Sequence, residues 1–149
     1  MAARNRQDVV VTPGLIVAKA AEYLGTPFQH QARLKGVAVD CVGLLAGVAS
    51  ELGLPHEDFL SYSMMPTESI LEDHLEKAGL EKISEPEHGC VATFWWRSPK
   101  EPAYHVAILD TAKGHMIHTS NYHGQVVRHR FDQRWIKRVK SYWRYPWRR

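Results

Sequence analysis

Cys41 is the residue whose type and setting most clearly suggest chemistry. It lies in the stretch VAVDCVGLL, residues 37–45, where an extended apolar run changes into a helical pattern. A thiol in the first turn of a helix experiences the partial positive charge of unpaired backbone N–H groups, typically worth about 0.3–1 kcal/mol. This is less than one pKa unit, so a reactive Cys41 needs a base or a cation beside it. A thiol activated in this way should react with iodoacetamide below about pH 8, and much faster than Cys90.

Two of the nine histidines interrupt apolar stretches that have the composition of β-strands. His105 begins HVAILD and His118 ends HMIH. If residues 110–113 form the loop of a hairpin, Leu109 pairs with Gly114 and His105 lies directly opposite His118. A register shift of one residue would instead place the two rings on opposite faces of the sheet. The histidines expected at the surface, in loops or at strand ends are His56, His74, His88, His115, His123 and His129.

A cysteine with two neighbouring histidines is the set that a cysteine hydrolase requires. The first histidine takes the thiol proton and later protonates the leaving amine, and a second polar group fixes the ring and tautomer of the first. Each histidine alone is better explained as a half-buried, hydrogen-bonded residue, whereas the pair favours catalysis. A metal site built from His115, His118, His123 and Cys41 is an alternative, although ligands on adjacent strands and turns seldom converge four at a time.

Helical patterns come first in the chain and strand patterns follow. Helices are predicted from Pro13 to Leu24, from Cys41 to Leu52, and from Thr67 and Glu68 to Ala78. The second is apolar over most of its circumference and is expected at the centre of the fold. Strands are predicted within residues 90–96, 104–110, 115–120 and 125–131, with an edge strand within residues 139–147. This order predicts an α+β fold in which N-terminal helices pack on one side of a C-terminal antiparallel sheet.

The 149 residues suit a single domain over residues 1–149. Residues 1–12 are expected to form a flexible N-terminus and residues 131–149 a basic aromatic segment. The start of the chain has no apolar stretch suited to a signal sequence, and no run of about 18 apolar residues suggests a membrane span. We therefore expect synthesis in a cytoplasm, no membrane insertion, and no disulfide between Cys41 and Cys90.

Positive charge is concentrated near the C-terminus. The net charge is only +3, yet the residues from Arg128 onward include nine Lys or Arg and one acid, Asp132. This segment is either a solvated face with a charged tail or a surface that docks onto an acidic polymer or protein partner. Nucleic acid is not an expected partner, because no recognised nucleic-acid-binding motif accompanies the charge.

The motifs resemble those of the NlpC family of cell-wall cysteine peptidases, which have papain-like domains. The stretches DCVGLL (40–45), HVAILD (105–110) and MIHTS (116–120) are similar to the family's Asp-Cys-Ser-Gly-Leu, His-Val-Gly-Ile and Met-Ile-His-Ala motifs. GTPF (25–28) is similar to its Gly-Thr-Pro-Tyr, and HGCVATF (88–94) to its Pro-Gly-Asp strand. The likeness spans most of residues 14–130, and residues 25–44 most resemble the branch found in phage tails and gene transfer agents.

The resemblance implies a role for each matched residue. Cys41 would be the nucleophile, His105 the general base and acid, and His118 the residue that orients His105. Asp40 is interpreted as the helix cap, since a carboxylate beside the thiolate would oppose its formation. Phe28 stands where the family usually has a tyrosine that is thought to donate to the oxyanion.

The surroundings of these residues include a candidate substitute donor and two further departures from the family pattern. His30 or Gln31 is the expected substitute donor for the missing phenol, the alternative being that both lie in an ordinary surface loop. Val42 replaces the family's serine, and Cys90 stands where aspartate is common. Cys90 is interpreted as an inert small hydrophobe in a strand.

The resulting functional expectation is an endopeptidase or amidase that cuts the peptide stems of bacterial peptidoglycan. It would need no cofactor and no metal, and it would act from a virion or phage-like tail, with tail-tip proteins as partners. The alternative is a structural tail protein that keeps the fold but has weak or no activity, which the Phe28 substitution makes conceivable.

Overall fold

The structure is a computed structural model, and it describes residues 10–56 and 69–146. Its helices are α1 (Pro13–Ala21), α2 (Cys41–Glu51), α3 (Ile70–Lys77) and α4 (Gln133–Ile136). Thr12 caps α1 by accepting a hydrogen bond from the Leu15 N–H, and Pro13 occupies the first turn, where its missing N–H costs nothing. The three predicted helices are present, although α1 ends before Leu24. Thr67 and Glu68, the predicted start of α3, lie outside the described residues.

Strands form one small and one large antiparallel sheet. The small sheet pairs β1 (Arg33–Leu34) with β2 (Ala38–Val39). The large sheet has the order β3–β8–β4–β5–β6–β7. Its strands are β3 (Glu81–Ile83), β4 (Val91–Phe94), β5 (His105–Asp110), β6 (His115–His118), β7 (Val127–Arg130) and β8 (Val139–Arg144). The predicted edge position of the last strand is wrong, because β8 lies between β3 and β4.

The two faces of the large sheet bury different clusters. Val106 and Ile108 of β5 pack in the core formed with helices α1, α2 and α3. Ala107 and Leu109 of the same strand pack in a second cluster, against which Trp135 of α4 also packs. This alternation follows from the two-residue period of a strand. The predicted α+β fold, with N-terminal helices and a C-terminal antiparallel sheet, is confirmed.

The hairpin between β5 and β6 differs from its predicted register by two residues. Asp110 pairs with His115 and Leu109 with Met116, so the loop is 111–114 and not 110–113. Gly114 has a φ of 68°, which favours glycine at the last loop position. The prediction that His105 lies directly opposite His118 is therefore wrong. Because the shift is even, both rings stay on the same face as diagonal neighbours.

Among residues 10–56 and 69–146, no helix combines the length and the apolar character needed to cross a bilayer. Cys41 and Cys90 are both free thiols in the structure.

Candidate active site

Helix α2 begins at Cys41 because Asp40 caps it. Asp40 Oδ1 accepts the backbone N–H of Gly43 at 2.8 Å, the bond predicted for a helix cap, and a guanidinium N–H of Arg33 at 2.9 Å. Its Oδ2 accepts the backbone N–H of Gln31 at 2.6 Å. A Cβ on Gly43 would clash with the Ala32 carbonyl, so the loop before α2 lies directly against the helix start. The cap and this close approach fix where α2 presents the Cys41 side chain.

Cys41 and His105 line the same groove, whose volume is about 570 Å³. The backbone N–H of Val106 is close enough to the Cys41 sulfur to favour its thiolate, which places the thiol near the start of β5, beside His105. Cys41 is partly exposed, whereas Cys90 is 1% exposed. The groove therefore gives a ligand access to one of the two thiols.

A chain of three histidine rings runs back from the groove. His105 Nε2 lies 2.7 Å from His118 Nδ1, and His118 Nε2 lies 2.7 Å from His129 Nε2. His129 Nδ1 lies 2.9 Å from the Arg130 carbonyl oxygen. His105 and His118 are 4% and 0% exposed, so hydrogen bonds between the rings take the place of solvent.

The carbonyl oxygen at the end of this chain sets the tautomer of every ring. It can only accept, so the proton of His129 is on Nδ1 and His129 Nε2 accepts from His118. A neutral His118 then carries its proton on Nε2, and its Nδ1 accepts from His105 Nε2–H. Neutral His105 is left with a lone pair on Nδ1, the nitrogen that is not bonded to His118. This is the tautomer that can remove a proton from a thiol.

Burial shifts the pKa values of Cys41 and His105 in opposite directions. Desolvation, followed by the Asp40 carboxylate, raises the pKa of the Cys41 thiol to about 12. Although Cys41 touches the groove, the protein around its sulfur is dense enough for desolvation to dominate. Desolvation, followed by repulsion from His123 and His129, lowers the pKa of His105 to about 3. Desolvation and then His105 also lower the pKa of His118. Each charged form is therefore disfavoured when considered alone.

The resting form of the pair is a neutral thiol beside a neutral imidazole. A thiolate and an imidazolium about 4 Å apart gain roughly 4 kcal/mol at an effective dielectric constant near 20, equivalent to about 3 pKa units. The gap between the pKa values of Cys41 and His105 is much larger than this gain. At the start of α2, burial therefore favours the neutral thiol over the thiolate.

The residues expected to replace the missing phenol are only partly in the groove. Phe28 and His30 line it together with Cys41. Gln31 is not among the lining residues, and its backbone N–H donates to Asp40. The geometry therefore leaves His30 as the better placed of the two.

Several groove residues were not predicted from the sequence. Trp96, Tyr104 and Tyr122 supply aromatic lining, with Tyr122 being 91% exposed. Thr119 also lines the groove, and its hydroxyl is buried with no hydrogen-bond partner among residues 10–56 and 69–146. The sequence shows these residues beside strand ends, but which strand ends meet depends on the topology of the sheet.

His129 was predicted at the surface and is instead half-buried in the histidine chain. The signal that could have identified it is the alternation in β7, where Val127 and His129 are half-buried and Arg128 and Arg130 are exposed.

The structure groups the candidate metal ligands differently from the alternative proposed from the sequence. The structure brings His118 and His123 together with His129, whereas His115 and Cys41 are not members of this group.

No known protein-family model matches the chain, and no curated protein matches it in sequence. Solved structures do match its fold. An NlpC/P60 family protein from Bacillus cereus is 17% identical with a TM-score of 0.70, over 92% of this chain and 41% of that chain. The NlpC/P60 domain of the peptidoglycan hydrolase SagA is 24% identical with a TM-score of 0.59, over 89% of this chain and 97% of that chain.

A third structure, the peptidoglycan hydrolase RipB from Mycobacterium tuberculosis, is 16% identical with a TM-score of 0.57, over 89% of this chain and 63% of that chain. The chain thus spans about two fifths of the Bacillus cereus protein and nearly all of the SagA domain. Its helices and antiparallel sheet have the fold of NlpC/P60 domains.

Proposed function

We propose that the protein is a cysteine hydrolase that cuts amide bonds in the peptide stems of bacterial peptidoglycan. The observation that carries this proposal is the groove that contains Cys41 and His105, backed by the 2.7 Å hydrogen bond from His105 to the buried His118. The structural neighbours SagA and RipB are described as peptidoglycan hydrolases, which supports the choice of substrate.

In the proposed acylation step, the Cys41 sulfur attacks the amide carbonyl carbon while the thiol proton moves to His105 Nδ1. The carbonyl oxygen becomes an oxyanion, which the backbone N–H of Cys41 at the start of α2 helps to stabilise. The C–N bond then breaks, the amine takes the proton from His105, and a thioester remains on Cys41. Water attacks the thioester with His105 as the base, which releases a carboxylate and restores the thiol.

His118 acts in this proposal as a positioning residue. Because its Nδ1 accepts from His105 Nε2–H, it holds the His105 lone pair on Nδ1 and stabilises the imidazolium that forms during attack. The neutral resting pair makes this orientation important, since the base must be correctly placed before any charge develops.

The lining of the groove suits an extended peptide more than a small ion. Trp96 and Tyr122 offer exposed aromatic surface on which a bound peptide can pack. The exposed Arg128 and Arg130 on edge strand β7 could favour adsorption to the anionic wall. Arg144 contributes less to such a surface, because it is ion-paired with Glu81 and Glu87.

Digestion of purified peptidoglycan tests this proposal. The full chain is incubated with sacculi and with soluble muropeptides, and new amino and carboxyl termini are identified by mass spectrometry. The expected result is cleavage within the stem peptides by wild type and by Cys90→Ala, and none by Cys41→Ala. Absence of cleavage by wild type on all stem chemistries, or equal cleavage by Cys41→Ala, would contradict it.

A structural role without turnover is the second candidate, and Phe28 favours it. Phe28 lines the groove beside Cys41 and has no hydroxyl to offer an oxyanion. Retained affinity for sacculi without cleavage, unchanged in Cys41→Ala, would support this role over the hydrolase.

We further propose that the protein belongs to a phage tail or gene-transfer-agent tail, where it would open the wall locally and contact tail-tip proteins. This proposal depends on the resemblance of residues 25–44 to that branch of the family. Gradient-purified particles from the source organism should contain the chain in stoichiometric amounts, and its absence from particles that retain their tails would overturn the assignment.

A further inference from the structure

Three imidazoles converge behind the groove, on the far side of His118 from His105. His118 ends strand β6, His129 lies in β7, and His123 lies in the connection between these strands. One ring nitrogen of each residue lies within 4.8 Å of those of the other two. Ring centroids are 4.7 Å apart for His118 and His129 and 4.9 Å apart for His118 and His123.

The other ring nitrogen of each histidine is held by a different neighbour. Nδ1 of His118 faces His105 Nε2 at 2.7 Å, and Nδ1 of His129 faces the Arg130 carbonyl oxygen at 2.9 Å. Nδ1 of His123 lies 3.0 Å from the Ser120 hydroxyl oxygen. Histidines that ligate metals typically have this arrangement, in which an outer hydrogen bond fixes the ring and leaves Nε2 for the ion.

We propose that His118, His123 and His129 form a site for one divalent transition-metal ion of the zinc class, and that the bound ion holds His105 in the tautomer that cannot accept the Cys41 proton. Three neutral imidazoles and one open position are a common zinc ligand set. The consequence for Cys41 rests on the proposed hydrolase function, whereas the metal site itself does not.

Only a small movement is needed to admit the ion. Zinc–nitrogen bonds of about 2.0–2.1 Å place tetrahedral ligands roughly 3.4 Å apart. The nitrogens of His118 and His129 are 2.7 Å apart and must separate by less than 1 Å, and the His123 nitrogen, within 4.8 Å of both, must approach by up to about 1.4 Å. His123 and His129 are half-buried, in a connection and on an edge strand, and can move while the fully buried His118 stays fixed.

Metal binding reverses the direction of the hydrogen bond between His118 and His105. A neutral His118 with zinc on Nε2 carries its proton on Nδ1, so it donates to His105 Nε2 instead of accepting from it. Neutral His105 must then carry its own proton on Nδ1, the nitrogen that would otherwise receive the thiol proton. The ion and the general base are thus mutually exclusive.

Calorimetric titration of the full chain with zinc chloride tests the site. Wild type and Cys41→Ala should each bind one ion with similar affinity, because the thiol is not a ligand. His123→Ala should weaken binding at least about 10- to 100-fold, the loss usual for disturbing even an outer partner of a ligand. His115→Ala is the matched control, since this histidine lies on the same strand as His118 but outside the group, and it should bind normally.

Visible spectra of the cobalt(II)-loaded protein test the ligand set independently. The Cys41→Ala protein loaded with cobalt should show the visible absorption of a tetrahedral nitrogen site, and wild type should show no thiolate-to-cobalt charge transfer. The site is overturned if wild type binds no zinc at millimolar concentration, if Cys41→Ala abolishes binding, or if His115→Ala weakens binding as much as His123→Ala.

The tautomer switch is read directly from spectra of ¹⁵N-labelled imidazoles, whether or not turnover is detected. Zinc should move the His105 proton from Nε2 to Nδ1 in wild type and leave it on Nε2 in His123→Ala. Where wall hydrolysis is measurable, zinc should inhibit wild type, a chelator should restore it, and His123→Ala should stay active in zinc. An unchanged His105 tautomer in a zinc-loaded protein would overturn the switch, and failure of hydrolysis alone would overturn only the proposed function.

Discussion

Cys41 and Cys90 have thiol pKa values that are raised alike, but their surroundings differ. Desolvation is the first cause that raises the pKa of both, to about 12 for Cys41 and about 11 for Cys90. Cys90 is 1% exposed and accepts the backbone N–H of Glu87 at 3.4 Å. Cys41 opens into a groove that it shares with His105.

This contrast teaches that thiol acidity does not distinguish the two residues. Burial raises the pKa of both thiols, so neither is set apart by its acidity. Its distinguishing features are access and a neighbouring ring whose lone pair is held in place by His118 and, through it, by His129. We therefore expect the reactivity of Cys41 to depend on the neighbouring His105 ring and on access to the groove, and not on the thiol pKa alone.

Removing each thiol in turn should give the largest difference in hydrolysis rate between variants of the two cysteines. Cys41→Ala should lower kcat/KM for stem-peptide cleavage by about 10⁴-fold or more, because no group remains to form the thioester. Cys90→Ala should change it by less than about 2-fold, since this buried sulfur packs in the second cluster and does not line the groove. The measurement is initial rate on a defined muropeptide, and a comparable loss in both variants would remove the distinction.

Removing the partner ring should have the next largest effect. His105→Ala should lower kcat/KM by about 10³-fold, within the range of general base catalysis. The double variant Cys41→Ala/His105→Ala should be no slower than Cys41→Ala, because residues that act as a unit are not additive. Additive losses would indicate that the two residues contribute independently.

The buried rings near Cys41 should also make the fold sensitive to acid. The pKa values of His105 and His118 are lowered by burial, so both stay neutral in the folded state while the unfolded chain gains protons below its histidine pKa of about 6.5. The free energy of unfolding should therefore decrease as the pH falls below about 6.5. Its slope should approach roughly 2.7 kcal/mol per pH unit for the two rings.

Urea unfolding between about pH 6 and pH 4, with a chelator present, measures this slope. His118→Asn should reduce it to about 1.4 kcal/mol per pH unit, since one titrating ring is removed. Cys90→Ala is the control and should leave the slope unchanged. A flat stability profile in wild type would mean that the two rings are solvated in the folded state.

Alkylation compares the two thiols without any substrate. Iodoacetamide should label Cys41 at least about 10-fold faster than Cys90, because only Cys41 is open to the groove. The raised pKa of Cys41 implies that its labelling rate keeps rising above about pH 8, in contrast to the early reactivity expected from the sequence. Peptide mass spectrometry follows both sites in one sample, and a rate that is constant from about pH 6 upward would indicate a preformed thiolate–imidazolium pair.

The smallest expected effect concerns Phe28, which lines the groove beside Cys41. One oxyanion donor is typically worth 10²- to 10³-fold in rate, and a phenol added without its own supporting contacts should recover only part of this. Phe28→Tyr should therefore raise kcat about 10-fold with little change in KM. Phe28→Leu is the matched control without a hydroxyl, and an equal gain in that variant would show that the hydroxyl is not responsible.

The parts of the site that could be predicted from the sequence are those held by local chemistry. Asp40 and the apolar pattern after it place Cys41 at a helix start, and the strand patterns place His105 and His118 on one hairpin face. His129 was missed because its position beside His118 depends on how β7 pairs with β6, which short-range patterns do not determine. The aromatic side chains at the groove were missed for the same reason, since strand ends separated by tens of residues meet there.

The position of β8 has a consequence for how the chain reaches this structure. Residues 139–144 fill the gap between β3 and β4, two strands that are otherwise not neighbours. During synthesis β3 and β4 remain without their shared partner until residues 139–144 have left the ribosome, well after both strands themselves have emerged, so this part of the sheet closes late. A stop codon before Val139 would leave the apolar strand β4 with a free backbone edge, and such a product should self-associate through that edge.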